Sequence, residues 1–145
     1  MQSQELLRRY AAGDRQFQQA DLTGASLYRT QLADAILPSV TLIGANLSGA
    51  DLTGADLRQA NLIGANLSGA NLTKADLRGA DLIGANLGGA KLGAANLAGV
   101  VLNGANLSAA NLSRVCLQAA SLVRAEPGWR CAQPGSAQRG KSEWS

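Results

Sequence analysis

Asp56 and Asp76 are the residues of this 145-residue chain whose type and spacing come nearest to acid–base chemistry. Carboxylates about 5 Å apart can divide the work between an acid and a nucleophile. A twenty-residue structural period would stack these two at about the strand spacing of 4.8 Å. Their neighbours argue for another role. Arg58 and Arg78 follow them by two residues on the same segments, so the four side chains form an alternating charge grid on an open face, which reads as structural. The chain has no histidine, and so lacks the commonest general base and the usual nitrogen ligand for a metal. Cys116 and Cys131 do not have metal-site spacing, and the glycines fall at regular corners with no strand-to-helix context for a phosphate loop. No catalytic, cofactor-binding or metal-binding residue is assigned, and the chain is expected not to be an enzyme.

The element that positions these residues is a repeat. From Phe17 to Leu122 every fifth residue is large and apolar, which makes twenty-two centres, all leucine except Phe17. On an α-helix, residues five apart are rotated by about 140°, so the leucines would spiral around the surface and could not share a core. In extended chain, residues two apart face the same side. Ala45 with Leu47, or Ala55 with Leu57, can therefore point inward while Asn46 or Asp56 points out. The chain must then bend in the two residues after each centre, where Ser48-Gly49, Thr53-Gly54 and Arg78-Gly79 stand. Glycine in the second place suits a type II turn, and Pro38 after Leu37 suits the first.

A second period lies inside the first. Residues 42–61 and 62–81 match at all but four positions, and the residues after leucine run Ile, Ser, Thr, Arg in both. Four bends per circuit make twenty the natural period and predict about 5.5 coils, a column about 26 Å tall at the usual strand spacing. The tandem A-[DN]-L-x-x unit resembles the pentapeptide-repeat family. That resemblance implies an all-β solenoid, a right-handed quadrilateral β-helix, and covers about three quarters of the chain. The opening LLRRYAAGDRQFQQADLTGA further resembles cyanobacterial members, which implies a short N-terminal capping helix.

The expected organisation is a capping helix over 1–13, the β-helix over 14–125 and a C-terminal cap or flexible tail over 126–145. Ser3 is the expected helix cap, Leu6, Leu7, Tyr10 and Ala11 the apolar stripe, and Gly13 the stop. Trp129 is expected to rest on the last coil. No stretch reads as a membrane span or a secretory signal, so the expected location is the cytoplasm. There two free thiols are favoured over a Cys116–Cys131 disulfide.

Three outward features remain. Asn46, Asn66, Asn86 and Asn106 stack in one column above Ser26, where side-chain amides could bond from rung to rung. Ile43, Ile63 and Ile83 form an apolar column with Val101 and Val123 on the same face and Ile36 around the corner. Such a row marks a protein contact surface or a weak homodimer, is covered by the tail, or consists of plain exposed residues. The family resemblance also brings an alternative, mimicry of duplex DNA to modulate a type II topoisomerase. A mimic needs a dense negative field, whereas Asp21–Arg124 holds six acids against seven bases. Direct nucleic-acid binding is disfavoured because the bases are spread over all four faces and only Tyr28 offers an outward aromatic platform. The sequence therefore points to a non-catalytic binding or scaffold module with an unidentified protein partner, no cofactor and no membrane.

Overall fold

The computed structural model describes residues 1–125. The chain begins with helix α1 (Ser3–Ala11) and continues as single-residue parallel bridges, each joining a residue to the one twenty positions on, from Gln16–Ile36 to Val101–Ser121. One circuit thus takes twenty residues and four turns.

Backbone hydrogen bonds explain why five residues suffice for each side. The Leu22 amide donates to the Thr41 carbonyl at 2.7 Å and the Gly24 amide to Ile43 at 2.8 Å. The Thr41 amide returns a bond to Ala20 at 2.9 Å, and the Ala25 amide closes the turn onto Leu22 at 3.0 Å. The same scheme recurs along the column and uses four of the five amides in each unit. Only the amide of the residue after leucine is left over, and it faces outward.

Inside, every centre from Phe17 to Leu122 is buried, together with the small residue two places before it from Ala35 onward. Leucine above leucine and alanine above alanine fill the interior by repetition, and each coil is stabilised by its neighbours. Val40, Val100 and Val115 replace alanine and remain buried, so these inward positions tolerate a β-branched side chain.

All twenty-two turns place the second residue after the centre at positive φ. Together with the closing bond, this is the type II turn expected from Gly49 and Gly54. Glycine fills only half of these positions. The other eleven are residues such as Gln59, Lys74 and Ala109, with φ of 59°, 62° and 59°. A left-handed conformation costs an L-residue about 1–2 kcal/mol, partly offset by the entropy glycine loses on folding. Ala109→Gly should therefore raise stability by up to about 1 kcal/mol, read as a higher midpoint in urea unfolding.

The helix departs from expectation at its start. Gln2, not Ser3, occupies the N-cap position, and no side chain caps it; the chain is instead tied there by the terminal ammonium, which donates to the Asp21 carbonyl at 3.0 Å. Ala11 is exposed, so the buried stripe is narrower than expected and consists of Leu6 with the partly buried Leu7 and Tyr10. Gly13 ends the helix as expected. With φ at +101°, its amide donates to Tyr10 and that of Asp14 to Arg9, the paired bonds of a Schellman stop. Arg9 then binds Asp14 at 2.7 Å and covers the Phe17 ring, and the Tyr10 hydroxyl donates to the Ala33 carbonyl at 2.7 Å.

Candidate functional site

The twenty-residue register sorts outward residues into columns on four faces. On the isoleucine face, the Gly44 amide bonds the Ile63 carbonyl and the Gly64 amide bonds that of Ile83. Ile43, Ile63 and Ile83 therefore occupy three consecutive rungs. Ile43 and Ile83 are 37% and 41% exposed, and Ile63 between them is half-buried. Beside them runs the turn column Gly44, Gly64 and Gly84, where a methyl group would meet only open space, so the isoleucines stand as a ridge above bare backbone. The next residue up the column is Asn103, which accepts from the Ser121 hydroxyl and the Val123 amide. Val123 is thus in the same column but separated from Ile83 by a polar rung, while Val101 lies in the neighbouring column of that face. Ile36 sits one coil below Asp56 on the adjoining face, as the register predicts.

On that adjoining aspartate face, Asp56 bridges to Asp76 on the next rung. Each carboxylate is clasped by the arginine two residues on, at 2.7 Å for Arg58–Asp56 and 2.6 Å for Arg78–Asp76, while Arg58 also reaches within 4.0 Å of Asp76. The hydrogen bonds from Arg58 and Arg78 hold the two carboxyls below their ordinary value of 3.8, against an opposing push from partial burial. Both acids are thus kept ionised and paired, the structural grid expected from the sequence. A depressed folded value stabilises the protein above the unfolded value, and that gain is lost as pH falls through the folded one. Stability should therefore begin to fall as pH drops below about 4. With the arginines half exposed, solvent screening keeps the contribution of each pair small. Acid titration of the unfolding midpoint, with Asp76→Asn removing part of the slope, checks this.

The asparagine column differs from its expected role. Among the described residues only one rung-to-rung amide bond joins it, Asn106 to Asn86 at 3.1 Å. The asparagine oxygens serve their own rungs instead. Asn46 Oδ1 accepts the Ser48 amide at 3.1 Å and Asn66 accepts that of Ser68 at 3.0 Å. Each outward Asn or Asp before a leucine from Asp21 to Asn111 does the same for the amide two residues on, as Asp51, Asn61 and Asp81 also illustrate. These Asx turns satisfy the fifth amide of the unit. The local signal was already present in the sequence, because Ser or Thr often follows at the position whose hydroxyl donates to the same oxygen, as Thr53 does to Asp51.

The bases also distribute less evenly than their sequence order suggests. All four faces carry one, but Arg58 and Arg78 are paired and Arg29 lies over the Tyr28 ring. Lys74, Lys91 and Arg114 share the remaining face. Cys116 is half-buried above Asn96. Its expected relation to Cys131, the seat of Trp129 and any cover from residues 126–145 lie outside the described residues. No helix among the described residues is long and apolar enough to cross a membrane.

Parallel rungs at a fixed twenty-residue spacing, an apolar interior and sequence variation concentrated in outward columns define a β-solenoid repeat protein. Its five-residue unit identifies the family: the chain belongs to the pentapeptide-repeat proteins, whose profile "Pentapeptide repeats" matches eight copies over residues 16–54, 50–89 and 85–124. The fold is accordingly the right-handed β-helix of that family. Among solved structures it is similar to Rfr23, a pentapeptide-repeat protein of the cyanobacterium Cyanothece 51142. The two are 25% identical with a TM-score of 0.50, over 97% of this chain and all of the other. It is also similar to alr5209 of Nostoc PCC 7120, at 35% identity and TM-score 0.32 over 82% and 78% of the two chains. The plasmid-mediated fluoroquinolone resistance protein QnrB1 aligns at 17% identity and TM-score 0.39, over 86% and 84%. No curated protein matches the sequence.

Proposed function

We propose that this protein is a non-catalytic binding module whose contact surface is the isoleucine face. In this reading about 5.5 rigid coils, closed at the N-terminal end by α1 acting as a lid, present Ile43, Ile63 and Ile83 to a protein partner. The observation that carries the proposal is the stacking of those three side chains on consecutive rungs, with two of them more than a third exposed. The interior is filled without them, so their apolar surface adds nothing to the core. A row of this kind gains by burial against another apolar surface, at about 25 cal/mol per Å² removed from water. A rigid backbone adds to that gain, since little order must be imposed on binding.

Ile63→Asp places a charge in the centre of the ridge while leaving the bonds of its rung intact. The variant should keep the wild-type circular dichroism spectrum and melt within a few degrees of wild type, yet lose its protein partner or, for a self-associating column, sediment as a monomer. Retained association would reject the surface. The alternative of topoisomerase modulation requires a field that the described columns lack, since their acids are interleaved with or clasped by bases. Inhibition of gyrase supercoiling by the purified protein would favour it instead.

A further inference from the structure

On the face that carries Lys74, Lys91 and Arg114, a shallow notch of about 490 Å³ opens between two rungs of larger side chains. Thr73 and Lys74 form one wall, Ser113 and Arg114 the other, and Gly93 with Ala94 the floor. The walls are two rungs apart, about 10 Å, and their long basic side chains can converge over the low middle rung. Lys91 stands beside the floor, two residues before Gly93, and is exposed. None of the three cations has a salt-bridge partner among the described residues.

The floor carries a second feature. At the rungs above and below, Asn111 and Asn71 accept the amides of Ser113 and Thr73. At the middle rung the corresponding residue is Lys91, which has no acceptor. The outward amide of Gly93 therefore has no partner among the described residues, and glycine leaves it without a side chain, with only the Ser113 carbonyl oxygen, at 4.0 Å, near where a Cβ would stand. A free backbone donor below three cations is a ready anion site. The wider charge pattern agrees: from Asn71 to Ala125 the acids are Asp76 and Asp81, against five bases, and Asp76 is already held by Arg78.

We infer that this notch binds a single phosphate dianion, free or as a phosphomonoester, with the Gly93 amide, Lys74, Lys91 and Arg114 as its donors. A tetrahedral anion offers enough acceptors for all four, and the guanidinium of Arg114 can meet it with two parallel bonds. The Thr73 and Ser113 hydroxyls donate to Asn71 and Asn111, so they shape the walls without supplying donors to the anion. The cluster is three cations on three consecutive rungs, a footprint for one anion and not for a polynucleotide backbone. The inference is independent of the isoleucine face and stands or falls separately.

The test is a titration of the full chain by ¹⁵N-amide NMR at constant ionic strength, with inorganic phosphate, phosphoserine and chloride as probes. Phosphate is expected to move the Gly93 amide saturably, and chloride is not. Phosphoserine binding at least tenfold tighter than phosphate would assign the source as a phosphorylated partner; equal binding would assign free phosphate. Arg114→Gln and Lys74→Gln should each weaken binding about tenfold. Lys91→Gln removes a charge but leaves the amide free, so the Gly93 response should survive at lower affinity. Lys91→Asn supplies the missing acceptor and should abolish that response in a protein whose spectrum is otherwise unchanged. A Gly93 amide indifferent to phosphate, equal response to chloride, or a response retained in Lys91→Asn would overturn the site. So would tighter binding of a single-stranded oligonucleotide with shifts on all four faces.

Discussion

Leu67→Asp should abolish cooperative thermal unfolding and leave a chain with little native circular dichroism at room temperature. Leu67 is 0% exposed at mid-column, and its amide is bonded to the Asn86 carbonyl at 2.7 Å. Leu47 and Leu87, equally buried, occupy the equivalent positions on the rungs below and above. Among the described residues no polar or charged side chain is buried, so a carboxylate there would find no partner. It must either remain charged in an apolar interior or bind a proton at the cost of a raised pKa. The loss should exceed about 4 kcal/mol, a large share of the 5–15 kcal/mol that typically separates folded from unfolded. A solenoid has no route around a broken rung, because each coil leans only on its neighbours. Leu67→Met keeps the volume and should cost less than about 1.5 kcal/mol. An Asp variant that melts near the wild-type temperature would mean that the interior is not the dry leucine stack described.

Leu6→Asp should detach α1 and loosen the first coil while leaving the later coils closed. Leu6 is the one fully buried residue of the helix; the remaining ties are the partly buried Leu7 and Tyr10, Arg9 over the Phe17 ring, and polar bonds from Tyr10 to Ala33, Arg9 to Asp14 and the terminal ammonium to Asp21. Removing a buried leucine costs about 2–5 kcal/mol before any charge is added, more than any one of these hydrogen bonds contributes. With the lid gone, Phe17, Leu22 and Leu27 form an apolar end, and the variant should associate at high concentration. Hydrogen exchange reads the effect locally. The amides of Leu22, Leu27 and Leu32 should exchange at least tenfold faster than in wild type, while those of Leu62, Leu67 and Leu72 change little. Uniform acceleration along the column, or none, would contradict the proposed lid role of α1.

The interior was legible in the sequence because it depends on spacing alone: five-residue leucines cannot share a helical face, and alanine two places earlier has to point the same way. The columns were legible because residues 42–61 and 62–81 nearly duplicate each other, which brought out Ile43, Ile63 and Ile83 as well as the Asp56–Arg58 and Asp76–Arg78 grid. The roles of single amides were not. Asn66 reads as a ladder residue until the five amides of its unit are followed, when the Ser68 amide proves to be the one without a backbone acceptor. Gly93 matters for the converse reason, that Lys91 fails to supply what asparagine supplies elsewhere. Lys74 and Arg114 are forty residues apart in the chain, and counting bases along the sequence hides that they wall one notch. Lys74 and Gln59 at left-handed turn positions were likewise unforeseeable, since the coil imposes that conformation whatever residue is present.

The isoleucine face is tested most directly by photo-crosslinking in the native cell, with a benzophenone amino acid placed singly at positions 63, 68 and 73. These positions carry the same turn geometry on three different faces. One discrete protein adduct is expected from position 63 and none from 68 or 73, lost when Ile43 and Ile83 are both changed to Asp. No adduct at 63, or the same adduct from all three positions, would contradict it.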